Sequence, residues 1–355
     1  MSVPAMGGDR PAAGAAVRVA SAPVIAGLRF RTCRGPGDGA AIADILNAES
    51  AAWGIDEIVT AAEVESDLAH ADEEDPGRTL VVAEIHGRPL AYARRTWHDR
   101  GVFRAYEHVG HVHPDLARRG VGMALLRHQA AALRDLAASH GASGDRRLFT
   151  WADERRVAAT ALIVSEGYAE VRRYVDMERP TLASLPAAAP PPGIDVRPAD
   201  PRDPASLRAI LAAEDEAFRD HWGHHEISPD EVAEVLAEPD LDPTFWRIAW
   251  DGGAIAGVVR PVVYAEENAR FGRRRVWIDR VSVRRAWRGR GLGSALLVEA
   301  LAEARTRGLT SAGLGVDTDN TTGALGLYER LGFSRGPVTI AWAKPMDAEA
   351  PPVIG

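Results

Sequence analysis

Val283-Arg-Arg-Ala-Trp-Arg288-Gly289-Arg290-Gly291-Leu292-Gly293-Ser294-Ala-Leu-Leu297 runs from an apolar strand end, through a turn of arginines and glycines, into an amphipathic helix. The same pattern stands 171 residues earlier, counted from Gly291 back to Gly120, as Val112-His-Pro-Asp-Leu-Ala117-Arg118-Arg119-Gly120-Val-Gly122-Met-Ala-Leu-Leu126. A helix that begins directly after such a turn leaves its first N–H groups unpaired and carries the positive end of its dipole there, so it attracts anions. Glycines let the main chain turn tightly and come close to a ligand, and arginines add charge. Each copy therefore reads as a phosphate cradle. In the second it comprises Arg288, Gly289, Arg290, Gly291, Leu292, Gly293 and Ser294; in the first it comprises Val112, Arg118, Arg119, Gly120 and Gly122.

Outward from the cradles, the order of elements repeats as well. Each copy opens with a strand (28–32; 194–198), then a helix (40–52; 204–219), a polar helical stretch (60–70; 228–238) and a hairpin (79–97; 244–263). The hairpins turn at His86-Gly87 and Asp251-Gly252-Gly253. After the cradle helix come a strand (147–151; 311–316), a short helix (157–165; 321–331) and a closing strand behind Gly167-Tyr168 or Gly332-Phe333. Leu292, Leu296, Ala300, Leu301 and Ala304 mark one buried face of the second cradle helix. This order predicts an α/β fold, an α+β sandwich of two tandem domains, each a mixed, mostly antiparallel twisted sheet flanked by helices. The expected parts are a disordered leader at 1–27, a first domain at 28–180, a Pro/Ala linker at 181–193, a second domain at 194–347 and a tail at 348–355.

Composition narrows the function. A net charge of -8 argues against a protein that coats nucleic acid by charge. Cys33 is the single cysteine, so an internal disulfide and a thiolate-rich metal site are both excluded. The histidines are scattered, and the cluster His221-Trp222-Gly-His224-His225 has no carboxylates at a recognised metal spacing, so no metal is expected. No stretch approaches the ~20 apolar residues that span a bilayer. A cytoplasmic protein, monomeric or homodimeric, is the expectation.

The turn Arg288-Gly-Arg-Gly291-Leu-Gly293, followed by Asp317-Thr-Asp319-Asn320-Thr-Thr-Gly-Ala324-Leu325-Gly-Leu327-Tyr328-Glu-Arg-Leu-Gly332-Phe333, resembles the GNAT acetyltransferase superfamily. Its signature is an Arg/Gln-x-x-Gly-x-Gly/Ala turn and a later Asn…Ala…Leu-Tyr…Gly-Phe segment. The tandem arrangement resembles that of mycothiol synthase and related tandem GNAT proteins. The resemblance covers 194–345 and, more loosely, 28–179. It implies acetyl-CoA as cosubstrate, a small-molecule amine as acceptor, and direct attack of the amine in the second domain. It places the pantetheine arm along Val281, Ser282 and Val283, and makes Tyr328 the acid for the departing thiolate. It gives Asn320 a cofactor contact or a helix cap. The competing reading of Tyr328 is a half-buried aromatic of an amphipathic helix.

The two copies differ where that chemistry sits. Counted from the Gly-aromatic pairs, Ile163 stands for Tyr328 and Arg155 for Asn320; Ala117 stands for Arg288. The first copy is thus expected to be degenerate, either structural or a cofactor binder without chemistry. For the base, residues 277, 279, 281 and 283 share a strand face by period two, which selects Asp279. An ion pair with Arg280 or a neighbouring arginine is the alternative role. Mycothiol synthase carries a glutamate two residues earlier on this strand, where this chain has Trp277. Glu214, Asp215 and Glu216 are the second candidate set for the base, Glu214 also a substrate-binding candidate, or else a solvated helix end; His221, Trp222, His224 and His225 read as acceptor-pocket residues or as a polar loop. Two further functions remain open: a tandem GNAT with an aminoacyl-tRNA donor, drawing on Arg273, Arg274 and Arg275, and a non-catalytic acyl-CoA binder.

Overall fold

The computed structural model describes residues 12–55, 58–70, 80–99, 103–140, 145–219, 221, 224, 226–237, 241–319 and 323–347. The chain forms two compact units: one of residues up to Val171 together with those from Ile340 onward, the other of Arg172–Thr339.

The first unit is built on β1 (Leu28–Thr32), β2 (Leu80–Ile85), β3 (Arg88–Asp99), β4 (Phe103–Val112) and β5 (Asp145–Asp153). These lie in sequence order, antiparallel up to β4 and parallel between β4 and β5. A parallel step needs a crossover, and the helix α3 (Val121–Ser139) supplies it. Its buried Val121, Ala124, Leu125 and Leu133 recur at helical spacing against the sheet. Helices α1 (Gly39–Trp53), α2 (Ala61–His70) and α4 (Val157–Ser165) complete this part.

The second unit repeats the plan. Its strands are β6 (Ala169–Arg179), β7 (Ile194–Arg197), β8 (Arg247–Asp251), β9 (Ala254–Val262), β10 (Arg275–Val283), β11 (Ser311–Asp317) and β12 (Ser334–Pro345). Its helices are α5 (Pro204–Phe218), α6 (Pro229–Ala237), α7 (Ala265–Arg270), α8 (Leu292–Thr306) and α9 (Ala324–Arg330). The sheet runs β6-β11-β10-β9-β8-β7, with β10 and β11 parallel and α8 as their crossover. Helix α5 starts where Asp203 accepts from the Ser206 N–H at 3.0 Å and Pro204 fills the first turn. Helix α8 buries Leu292, Ala295, Leu296, Leu297, Ala300, Leu301 and Ala304, a wider stripe than the sequence face. Helix α7 was not expected from the sequence; it follows β9 directly.

Three boundaries differ from expectation. Residues 12–27 are not a free leader: the Val17 N–H donates to Phe30 O at 2.8 Å, the Thr32 N–H to Ala15 O at 2.9 Å, and Val19 is buried with Phe30, Val81 and Leu125. Apolar residues spaced among the Ala and Gly of this stretch give it something to bury, which composition alone hid. The linker begins docked, since Leu182 is buried in the second unit and its N–H donates to Thr310 O at 2.8 Å. The closing strands are also exchanged. β6, expected to close 28–180, pairs with β11 from Ala312↔Arg179 to Asp317↔Tyr174. The end of β12 belongs instead to the first unit, where the Met346 N–H reaches Arg146 O at 3.0 Å and Lys344 Nζ donates to Glu166 O at 2.8 Å. Two similar closing strands fit either edge by pattern alone, so the sequence does not say which copy each completes.

Candidate active site

In the second unit β10 and β11 pair only over Arg275↔Ser311, Val276↔Ala312 and Trp277↔Gly313, and then part. The Arg284 N–H donates to Ala256 O at 3.0 Å. Because main-chain polar groups alternate in direction along a strand, those of Ser282 also face β9, while those of Val281 and Val283 face the open side. Of the three residues expected to hold a pantetheine arm, Val281 thus turns its main chain to the gap, and Val283 its N–H, its carbonyl accepting from Arg288.

The gap leads to the cradle. Gly291 caps α8 in the left-handed region, φ 79°, and among the described residues no side chain accepts from the first N–H groups of the helix. Gly289 has φ 73°, and a Cβ at either glycine would meet nothing within 4 Å. Arg290 is exposed and makes no hydrogen bond or ion pair among the described residues. Arg288 is placed differently: its Nε donates to Val283 O at 2.9 Å and an Nη to Ala217 O at 2.7 Å. It braces the strand end against α5, and the cradle's uncommitted cation is Arg290. A Cβ at Gly293 would be in ordinary contact with Val283 at 3.6 Å and Leu327 at 3.5 Å, so the start of α8 packs between the end of β10 and α9. The donors, the space and the loose cation suit the phosphates of a coenzyme A thioester.

Where β10 leaves β11, it carries an extra residue. Its register against β9 shifts between Ile278 and Arg280, leaving Asp279 as a β-bulge. The expected common face of 277, 279, 281 and 283 is therefore broken: Val281 and Val283 pack toward the α8 core, whereas Asp279 and its neighbour Arg280 both turn toward α5. There Glu214 lies buried on α5, so it is not part of a solvated helix end. Arg260 of β9 sits between the two carboxylates, Nε 3.0 Å from Glu214 Oε2 and Nη2 3.0 Å from Asp279 Oδ2, over the ring of Trp246. Burial pushes the Glu214 carboxyl above its ordinary pKa in spite of Arg260 and Arg280. Asp215 and Glu216 have separate partners: the Ile227 N–H donates to Asp215 at 3.2 Å, and Arg284 pairs with Glu216 at 2.7 Å. The sequence reading missed Arg260. Its signal was an arginine inside the apolar run Ala254-Ile-Ala-Gly-Val-Val-Arg260-Pro-Val262.

Tyr328 lies on α9, one residue from the Leu327 that packs near Gly293. It is buried edge-to-face against Phe333, and burial pushes its hydroxyl up to about 12. The hydroxyl makes no hydrogen bond with a described residue. His221 packs edge-on to Phe218, ring centroids 4.4 Å apart, and His224 Nε2 lies 3.6 Å from Asp215 Oδ1. Asn320, Trp222 and His225 lie outside the described residues. Among the described residues no group of three metal-ligating side chains comes together, and no helix is long and apolar enough to cross a membrane.

The first unit has the same frame with different contents. β4 parts from β5 after Glu107↔Phe149, and Gly120 caps α3 with φ 84°. Arg118 (φ 57°) and Arg119 are exposed. A Cβ at Gly120 would lie 3.5 Å from Pro23, however, so the docked N-terminal residues stand at this turn. A Cβ at Gly122 would meet Val112 at 3.5 Å and Leu162 at 3.6 Å, as Gly293 meets Val283 and Leu327. Ile163 thus stands where Tyr328 stands. Glu49, like Glu214 the eleventh residue of its helix, is bound by His111 Nδ1 at 2.7 Å and by Arg156. Arg155, the counterpart of Asn320, donates to Gly54 O at 3.2 Å. Side chains at the start of α4 therefore reach across to α1.

A splayed parallel strand pair, with a helix N-terminus at its mouth and a tyrosine on the next helix, defines an acyltransferase built to hold a phosphate-bearing acyl carrier. The family model "Acetyltransferase (GNAT) family" matches residues 42–168 and again 207–333; the chain belongs to that family and is a tandem N-acetyltransferase. GNAT acetyltransferases use acetyl-CoA. Among curated relatives, a mycothiol acetyltransferase of Thermobispora bispora is 33% identical over 66% of this chain and 74% of its own. One of Geodermatophilus obscurus is 30% identical over 87% and 95%. Among solved structures, a GCN5-related N-acetyltransferase from Sphaerobacter thermophilus superposes with a TM-score of 0.71 at 27% identity, covering 92% of this chain and 97% of that one.

Proposed function

We propose that this protein transfers the acetyl group of acetyl-CoA to the amine of a small molecule, and that the reaction takes place in the second unit. The observation that carries this reading is Tyr328, buried beside the cradle with an unengaged hydroxyl and a raised pKa of about 12. Such a phenol carries its proton at neutral pH, and a thiolate formed beside it is the base that would take it. The first unit has Ile163 at that place. The relatives named mycothiol acetyltransferases fit an amine acceptor of small size.

Acetyl-CoA supplies the activated acyl group. The N–H groups of Gly291 to Ser294, with Arg290, hold its phosphates, and the main chain of Val281 and Val283 aligns its arm. Asp279, fixed by Arg260, accepts a proton from the attacking amine. As the C–N bond forms and the C–S bond breaks, Tyr328 gives its proton to the sulfur.

The test is thiol release and acetylated-product formation over a panel of amines, in the natural chain and in Tyr328→Phe. The variant keeps the ring's packing, so its KM should hold while kcat falls roughly 10²–10⁴-fold, the worth of a general acid. Full turnover in the variant with chemistry rate-limiting removes the acid role. An absence of acetylated amine across the panel removes the reading.

A further inference from the structure

The bulge in β10 has a second product besides Asp279. In a regular strand Arg280 would point to the opposite face; here it follows Asp279 toward α5. The two arginines of this cluster differ in their engagement. Arg260 is buried and touches both carboxylates at 3.0 Å. Arg280 is 49% exposed, and it stands 3.8 Å from Glu214 and 3.9 Å from Asp279, beyond hydrogen-bond distance. Its one hydrogen bond, at 3.5 Å, goes to the main-chain oxygen of its neighbour Asp279. The ring of Phe218 lies under the guanidinium, with its carbon 5.7 Å from the centroid. A planar fork of donors is thus held in place with most of its donors unused.

The place of this fork is specific. β10 last pairs with β11 at Trp277, so Asp279 and Arg280 stand two and three residues beyond the last pair, where the gap opens. An anion and a cation stand there side by side, about 4 Å apart. We propose that the acceptor is an α-amino acid or a compound ending in one: Asp279 faces its amine, and Arg280 binds the carboxylate one carbon away. This rests on the transferase reading above and narrows its acceptor class. Arg260 already holds both carboxylates at 3.0 Å from within, whereas Arg280 stands 3.8 and 3.9 Å from them and half exposed, so its fork keeps donors for an incoming anion. A carboxylate accepts two parallel bonds from a guanidinium, whereas a carboxamide accepts only through its oxygen and brings no charge.

The experiment measures calorimetric binding of the common α-amino acids, and of the matching α-carboxamides, to the full chain saturated with coenzyme A. It is repeated with Arg280→Gln, a substitution at a half-exposed position, once circular dichroism shows the variant folded. At least one amino acid should bind ten-fold or more tightly than its own amide, and that ratio should fall to near one in the variant. Absence of binding by every acid, amides that bind as well as acids, or a preference that survives Arg280→Gln each overturns the proposal. Acetyl transfer to the same compounds is followed in parallel, with acetyl-CoA in place of coenzyme A. Carboxylate-dependent binding without acetylated product would sink the transferase reading and leave the carboxylate site standing.

Discussion

At the scale of single residues, the second unit turns on a buried guanidinium shared by two acids. Arg260 comes from β9, Glu214 from α5 and Asp279 from β10, so one side chain ties three elements together. Removing one partner of a buried ion pair leaves the others uncompensated in a poorly solvating place. Arg260→Met should therefore destabilise the chain by about 3–5 kcal/mol, the range for breaking such a pair. Adding Glu214→Gln should restore part of the loss, because it removes the acid that burial already disfavours as an anion. Urea unfolding of the single and double variants checks this; a loss under about 1 kcal/mol, the scale of a surface pair, would contradict it. The cradle glycines were legible in the sequence from the repeated strand–turn–helix pattern, and Tyr328 only through the resemblance of its segment to the family signature. Arg260 was visible only as a misplaced charge in an apolar run, and its partners depend on long-range packing. Arg288 was expected to be a phosphate-holding cation of the turn, but which way a long side chain points is set by the carbonyls it finds, here Val283 and Ala217.

At the scale of elements, a turn and its helix make the same device twice, and its surroundings set the difference. Gly291 and Gly120 have nearly the same φ, 79° and 84°, so any side chain strains both alike. Around Gly291 there is open space, and around Gly120 there is Pro23. If turnover belongs to the second unit, Gly291→Asp, which sets a negative charge where phosphate approaches, should abolish activity. Gly291→Ala carries the same backbone strain without the charge and should retain more. Gly120→Asp should keep most of the activity, provided circular dichroism shows a folded chain. A dead Gly120 variant beside an active Gly291 variant would place the chemistry in the first unit. The helices around these turns follow from apolar spacing, which is why their order could be read along the chain. The bulge at Asp279 could not: a single extra residue leaves no composition signal, yet it redirects every side chain after it.

At the scale of the whole molecule, the duplication is legible as a repeat, but the exchange of closing strands is not, because β6 and β12 are alike as strands and differ only in the edge each meets. One consequence is a buried polar group in the first unit that the end of the chain completes. His108 of β4 has Nε2 2.6 Å from Tyr168 Oη; Lys344 of β12 stands 4.4 Å over the Tyr168 ring and donates to Glu166 O. Burial, then the charges of Lys344 and Arg134, push His108 down to about 3. Burial and Arg134 likewise lower Lys344 to about 8, against the pull of Glu166. Both are bases that the folded chain protonates less readily than the unfolded one. Between about pH 3 and 6.5 the unfolded state therefore binds a proton at His108 that the folded state refuses, so stability rises with pH across that window and is lost on acidification. One proton is worth up to about 1.4 kcal/mol per pH unit. Lys344 adds a rise of the same sign from about pH 8 to 10.5. His108→Gln removes the first titration while an amide can still meet the tyrosine hydroxyl. Its unfolding free energy, followed in urea at pH 4.5, 5.5 and 6.5, should fall less steeply toward acid than that of the natural chain by close to one proton's worth. Parallel slopes would mean that His108 takes up its proton in the folded state, and that the end of β12 does not seal it from water.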